Sequence, residues 1–412
     1  MTINHLREKV SSYYGWVITG TFAVTFGIAW STLSSFGIFF KPLSTELELS
    51  RTLASLAPSL TWLVINFSAP LWGIAADKWS ARIVTAICGL LIGTGWFLSS
   101  TITSSWQLYL FFSCFLGIGM GGIGPPLVGL TSRWFTHNRG FALGIGFSGL
   151  GIGITFMSPL ARWIVETYGW RTGMQDFAFI TWAVIVVGAL LLKQPPKSNV
   201  SLPAKTDSSN TTLRSIDELQ SERNAMQSIL SMPFLLLSFM WFAATLALSQ
   251  VVIHFVPRAT DVGLTATQAA LIFSVVGIVS SIGKAGGGIL GDKIGPELAF
   301  CLSMLLKAAA IIWLLFATSL WMFFVFGVAF GLGWGGFTPQ VAVIMGRIFD
   351  LRHMSTLYGA LWLGGGMGSV VGPLLAGWVF DISGSYIVAF SINATLCTLV
   401  AGIPFLIRKS SP

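Results

Sequence analysis

The sequence predicts an all-α membrane protein, about twelve transmembrane helices in two pseudo-symmetric six-helix bundles. Three observations carry that prediction. The 412 residues are 54% hydrophobic and only 9% charged, with a mean hydropathy of +0.78, too oily for a soluble globular domain. Apolar runs long enough to cross about 30 Å of hydrocarbon recur along the chain. These runs divide evenly around one long polar stretch, and the sequence on one side of it repeats on the other.

In chain order the runs lie at 16–40, 52–76, 83–102, 106–132, 140–165 and 177–192, then at 232–256, 267–291, 298–316, 320–346, 355–380 and 386–407. Each is expected to be helical, because a helix satisfies its own backbone in lipid. The first run has no small-residue cleavage site after it and is expected to be a retained span. Residues 193–231, rich in Ser, Pro, Lys and Glu, read as a linker with room for one short amphipathic helix around Leu213 to Ile229. The bundles are therefore expected at 1–192 and 232–412.

Orientation follows from the basic residues. Arg7 and Lys9, Lys78 and Arg82, Arg133 and Arg139, the 193–223 segment, Lys293, Arg347 and Arg352, and Arg408 and Lys409 all fall on one side. Lys41, Arg51, Arg171 and Arg258 fall on the other. The positive-inside rule makes the first side cytoplasmic and puts both termini there, as expected of a multi-pass protein of the plasma membrane, the inner membrane in a bacterium. Topology thus explains the net charge of +8, and no nucleic-acid partner is expected.

The internal repeat is specific. GIGMGGIGPPLVGLTSRWF (117–135) aligns without gaps on GLGWGGFTPQVAVIMGRIF (331–349), GIAADK (73–78) matches GILGDK (288–293), and Pro159 matches Pro373. Duplicated helical bundles in a membrane argue for transport, with a midplane site between the halves exposed alternately to each side. Glycine clusters at Gly144, Gly146, Gly149, Gly151 and Gly153, and at Gly364, Gly365, Gly366 and Gly368, fit either static close packing or a sliding interface.

GIAADKWSAR (73–82) resembles the loop signature of the major facilitator superfamily, with Gly73, Asp77, Lys78 and Arg82 in place and Ser80 where a glycine is usual. That resemblance implies the major facilitator fold and a gating role for Asp77, Lys78 and Arg82, and for Asp292 and Lys293 in the repeat. An acid ending a span there can pair with basic groups on neighbouring helices and lock one conformation. YYGW (13–16), SSFGIFFKPL (34–43) and RWFTHNRGFALGIGFSGLGIG (133–153) resemble the monocarboxylate transporters and their bacterial oxalate/formate antiporter relatives, over essentially the whole chain.

Lys284 is the residue that most needs a reason. It lies eight residues before Asp292, roughly 12 Å along a helix, close to mid-membrane in an otherwise uncharged glycine-rich run. A charge there costs several kcal/mol or more and marks a functional site by default. It is expected to share a face with Gly277, Ser280, Ser281, Gly288 and Gly291, a small, hydroxyl-bearing surface suited to a wet cavity. No mid-span Asp or Glu offers a partner. The family resemblance implies an arginine at this position holding the substrate carboxylate, and an acid or asparagine at Ser280. Lysine replaces the planar fork with a point charge and adds a group that titrates. A lone amine removed from water is poorly solvated as the ammonium, and an arriving carboxylate supplies the missing partner. Anion and proton then favour each other's binding, which is the requirement for symport.

Other candidates carry two readings each. Lys307, in the middle of the ninth run, either snorkels or pairs structurally, or contacts substrate. His254 either relays protons with Asp261 or is a solvated rim histidine. Tyr358, Trp362, Trp334 and Phe337 either wall the site against an organic tail or simply pack. The absent side chain at Gly124 would leave room for a bulkier substrate. The resemblance further implies cavity positions at Ser31, Ser34 and Phe147, and Lys41 at the outer mouth.

The expected function is secondary active transport of a small organic monocarboxylate of the lactate or pyruvate kind, together with a proton and by alternating access, which makes the anion, the proton and the bilayer its partners. An exchanger of the oxalate/formate type is the alternative, weakened because LYGALWLGGGMG (357–368) lacks the basic residue those relatives carry. No enzyme motif, cofactor-binding loop or metal-spaced His/Cys set is present, and the unit is expected to work as a monomer. Cys88, Cys114, Cys301 and Cys397 read as small core residues.

Overall fold

The computed structural model describes residues 3–48, 51–196 and 225–409. Twelve helices among them are long and apolar enough to cross a membrane. They are α1 (Tyr13–Glu46), α2 (Leu56–Lys78), α3 (Ala81–Ser99), α4 (Ser105–Trp134), α5 (Arg139–Tyr168), α6 (Trp170–Leu191), α7 (Met232–Asp261), α8 (Thr267–Ile294), α9 (Pro296–Phe316), α10 (Leu320–Ile348), α11 (Leu351–Ser383) and α12 (Ile387–Ile407). Several extend past the apolar runs that announce them, because helix continues into the polar ends until a cap or glycine stops it. Ser80 opens α3 by accepting from Ile83 N, and Thr265 and Gln268 form a capping box ahead of α8. Gly169 and Gly295, both at positive φ, turn the chain sharply between α5 and α6 and between α8 and α9. The linker helix expected around Leu213 lies mostly outside the described residues, although 225–229 are helical.

The repeat in sequence is a repeat in packing. A Cβ at Gly117 would stand 3.0 Å from Val64 of α2, and one at Gly119 would stand 2.8 Å from the Cys88 carbonyl of α3. In the second half a Cβ at Gly331 would stand 2.9 Å from the Val276 carbonyl of α8, and one at Gly333 would stand 2.9 Å from Lys307 N of α9. Corresponding glycines thus let α4 and α10 press backbone to backbone on corresponding neighbours.

The halves meet along two related seams, α2 with α11 and α8 with α5. The glycine clusters divide between the two roles left open by sequence. Gly149 and Gly153 face Ala23 and Gly27 of α1 within their own half, whereas Gly144 and Gly151 face Lys284, Gly277 and Ser281 of α8 across the seam. On α11, Gly365 and Gly368 face α7, and Gly366 faces Asn66 of α2. α1 and α7 pack chiefly within their own halves. Hydrogen bonds from Thr356 to Asp77 and from Gly140 and Phe141 to Asp292 join the halves at the end that bears those two acids.

Candidate functional site

Lys284 sits where α8, α5 and α10 converge. Its carbonyl lies against Gly144 of α5 and its backbone N–H against Gly335 of α10, an approach that side chains at those positions would block. The residue is 2% exposed, and its Nζ has no hydrogen-bond partner among the described residues. Its close contact is the face of Trp334 on α10, 4.8 Å from Nζ to the ring centroid. No ion pair reaches it among the described residues. A buried cation served only by a ring is left with unmet hydrogen-bonding capacity, which a carboxylate would fill.

The face around it differs from the hydroxyl-lined cavity wall expected from helix periodicity. Ser280 Oγ donates back to Gly277 O at 2.8 Å. Ser281 turns to α5, where its carbonyl accepts from Ser148 Oγ at 2.8 Å. Gly288 lies against Gly140 of α5, and Gly291 against Gln340 of α10. These small groups serve close packing on two sides, because α5 and α10 both press against α8.

The cross-half contacts of Phe147 and Trp362 create a continuous aromatic surface. Phe147 of α5 lies 6.4 Å from Tyr358 of α11, and Trp362, one turn on, lies 5.5 Å from Trp30 of α1. Trp362 also stands over Gly124, where a Cβ would be 3.4 Å from Cζ2. Phe22, Phe26 and Trp30, each four residues on, extend the surface along α1, and Trp241 of α7 meets Tyr358 at 6.4 Å. These α1 residues, Trp62 of α2, 5.2 Å from Trp30, and Trp241 were not singled out from sequence, although the i, i+4 spacing of Phe22, Phe26 and Trp30 was there to be seen. Ser31 points elsewhere: its Oγ donates to Ile28 O at 3.2 Å and packs by Gly153. Ser34 Oγ likewise bonds Trp30 O, and Lys41 is exposed.

Phe337 packs between Trp241 and Phe300, beneath the second buried lysine. Lys307 does not snorkel. It is fully buried, donates to Ala244 O of α7 at 2.8 Å, and lies 5.0 Å from the Phe337 ring and 5.5 Å from the Phe330 ring. That geometry is a structural tie between α9, α7 and α10. Lys307→Met is accordingly expected to leave the thermal midpoint in detergent unchanged or raised, and Lys307→Ala to lower it by opening a void, at a cost of about 2–5 kcal/mol. A large drop for the methionine variant would contradict the structural role.

His254 meets Tyr386 hydroxyl (3.4 Å from Nδ1) and Pro373 O (3.1 Å from Nε2), and not Asp261. Burial first, then the charges of Asp261 and Asp381, push the Tyr386 hydroxyl above its ordinary range, so it stays a donor. With Nε2–H donating to Pro373 O, Nδ1 can accept from it.

At the closed end, two acids do the same work in mirrored settings. Asp77 accepts from Thr356 N at 2.7 Å and Thr356 Oγ1 at 2.9 Å, at the start of α11's α-helical part, and pairs with Arg133 at 3.2 Å. Asp292 accepts from Gly140 N at 2.9 Å and Phe141 N at 2.8 Å, at the start of α5. Each carboxylate caps a helix of the opposite half, meeting orphan N–H groups and the positive helix end together. Lys78, Arg82 and Lys293 are exposed. Asp77→Asn is expected to weaken closure by on the order of 1–2 kcal/mol. Spin labels at exposed Ile83 and Ile294 should then report a broader, longer distance distribution, and an unchanged distribution would remove Asp77 from the gate.

The sequence matches the profile of the Major Facilitator Superfamily over residues 17–284 and 251–412. It is 23% identical over 435 residues to Monocarboxylate transporter 12 of Rattus norvegicus, with 97% of this chain and 89% of the relative covered. It is 25% identical over 402 residues to Monocarboxylate transporter 13 of the same species (97% and 90% covered), and 24% identical over 419 residues to Monocarboxylate transporter 11 of Homo sapiens (97% and 85%). Among solved structures the fold is similar to the major facilitator transporter FucP in the outward conformation, with a TM-score of 0.73 at 15% identity over 95% of this chain and 99% of that one. Paired seams, duplicated glycine contacts and these matches together place the chain in the major facilitator superfamily, as a membrane transporter related to the monocarboxylate transporters.

Proposed function

We propose that this transporter moves a small organic monocarboxylate together with a proton, by alternating access, and that Lys284 holds the carboxylate. The observation that carries the reading is the ammonium position itself: buried, without a hydrogen-bond partner among the described residues, and on a seam between the two halves. A single negative group satisfies it, and a proton on the amine is stabilised by that same group, so the two ligands bind cooperatively. Lys307 supplies no second cation for a dicarboxylate, since its ammonium is engaged with Ala244 O behind Phe337.

The moving bodies are 1–192 and 232–412, joined by the 193–231 linker, and the end sealed by Asp77 and Asp292 is the cytoplasmic one. The described conformation is then closed inward. The unit acts as a monomer in the plasma membrane with both termini inside. A thermal-shift screen of carboxylates on purified protein, repeated with Lys284→Ala, tests the reading. Stabilisation by monocarboxylates that disappears in the variant is expected, whereas stabilisation only by neutral or cationic compounds would overturn it.

A further inference from the structure

The seam between α5 and α8 has an outer side, turned away from Lys284. Ile282 is two residues from Lys284 and so lies on the opposite face of α8, which exposes Ile278, Ile282 and Ile289. On α5 the exposed Ile152 likewise lies away from Phe147, which meets the aromatic surface. Between these faces, lined also by Ala23 of α1 and Ala285 of α8, runs a groove of about 400 Å³, the size of a small-molecule site. Its hydroxyls are already engaged. Ser148 Oγ donates to Gly144 O and Ser281 O, Ser281 Oγ to Gly277 O, and Thr155 Oγ1 to Gly151 O. With no donor left to hold a polar ligand, the groove suits hydrocarbon.

The same face of α8 ends in a cation. Ile278, Ile282, Ile289 and Lys293 follow one another at steps of four, seven and four residues, which keeps them on one side of the helix. Lys293 is exposed and meets no ion pair among the described residues. Asp292 beside it turns its carboxylate to Gly140 N and Phe141 N. From Lys293 the groove residues Ala285 and Ile278 lie roughly 12 Å and 22 Å along the helix. The headgroup layer and the bilayer midplane are themselves roughly 20 Å apart. We infer that the groove seats one acyl chain of an anionic phospholipid whose phosphate lies at Lys293. The site is separate from Lys284 and does not depend on the substrate. A chain lying against α1, α5 and α8 touches both halves, so it favours the arrangement in which these walls stand together.

The test is native mass spectrometry of the purified full chain titrated with phosphatidylglycerol, phosphatidylcholine or oleate. Wild type is expected to retain one phosphatidylglycerol with about fivefold higher affinity than phosphatidylcholine, the attraction of one lysine for an anionic headgroup. Lys293→Gln should bring phosphatidylglycerol down to the phosphatidylcholine level and leave the latter unchanged, a pattern that misfolding cannot produce. Ala23→Phe, which fills the groove from α1, should remove retention of both. Equal retention of the two lipids by wild type, a preference that survives Lys293→Gln, or full retention by Ala23→Phe would each overturn the inference. So would tighter retention of oleate than of phosphatidylglycerol, which makes the occupant a free fatty acid, or a dimer that displaces lipid, which makes it a second copy.

Discussion

Lys284→Ala is expected to reduce monocarboxylate uptake into proteoliposomes by about a hundredfold or more, the cost of removing one partner from a buried charge pair. The fold should survive, because the side chain makes no hydrogen bond or ion pair among the described residues and its loss removes an uncompensated buried amine. The carboxylate, by contrast, would lose its only cation in the site. Lys284→Arg separates binding from coupling. Arginine stays charged throughout the accessible pH range, so the variant should bind the anion yet take up no proton as it does. Wild type should take up protons as the anion binds in weakly buffered solution, since the anion favours the charged amine. Normal uptake by the alanine variant, or proton uptake undiminished in the arginine variant, would dismiss Lys284 from the mechanism.

The second large effect concerns Gly73 and Gly288. Each lies four residues before the capping acid of its half, in GIAADK and GILGDK. A Cβ on Gly73 would run into the Ser355 carbonyl of α11, and one on Gly288 into the Gly140 carbonyl of α5. Backbone cannot give way as a flexible side chain can, so Gly73→Val or Gly288→Val must part the seam. The overpacking penalty of about 1–3 kcal/mol per site predicts a fall in uptake of roughly tenfold or more. Gly286→Val is the control on the same helix, because a Cβ there meets nothing within 4 Å. Gly288→Val transporting as well as Gly286→Val would mean that the seam need not close.

This pairing also shows what was readable in advance. The resemblance of GIAADKWSAR to the superfamily loop signature, repeated in GILGDK, implied gating roles for Asp77 and Asp292, with basic side chains as their natural partners. Arg133 fits that reading for Asp77. The backbone N–H groups at the starts of α5 and α11 could not be read from sequence, because any residue presents an N–H and only docking decides which helix end an acid reaches. Ser281 and Gly288 share a helix face with Lys284 by periodicity, yet both are taken by α5. Periodicity defines faces, and packing assigns their neighbours.

The sequence by itself determined that the chain crosses a membrane repeatedly, that its halves are duplicates, and that two lysines, Lys284 and Lys307, lie deep in apolar spans without an acid nearby. Those are properties of composition, run length and spacing, each local enough to survive without coordinates. Only the tertiary structure decided that Lys307 is tied to a carbonyl while Lys284 is not, and that Trp30 meets Trp362 across the halves. The physical reason is that a buried charge is defined by what the other helices bring to it, and residues hundreds of positions apart carry no sequence record of their meeting.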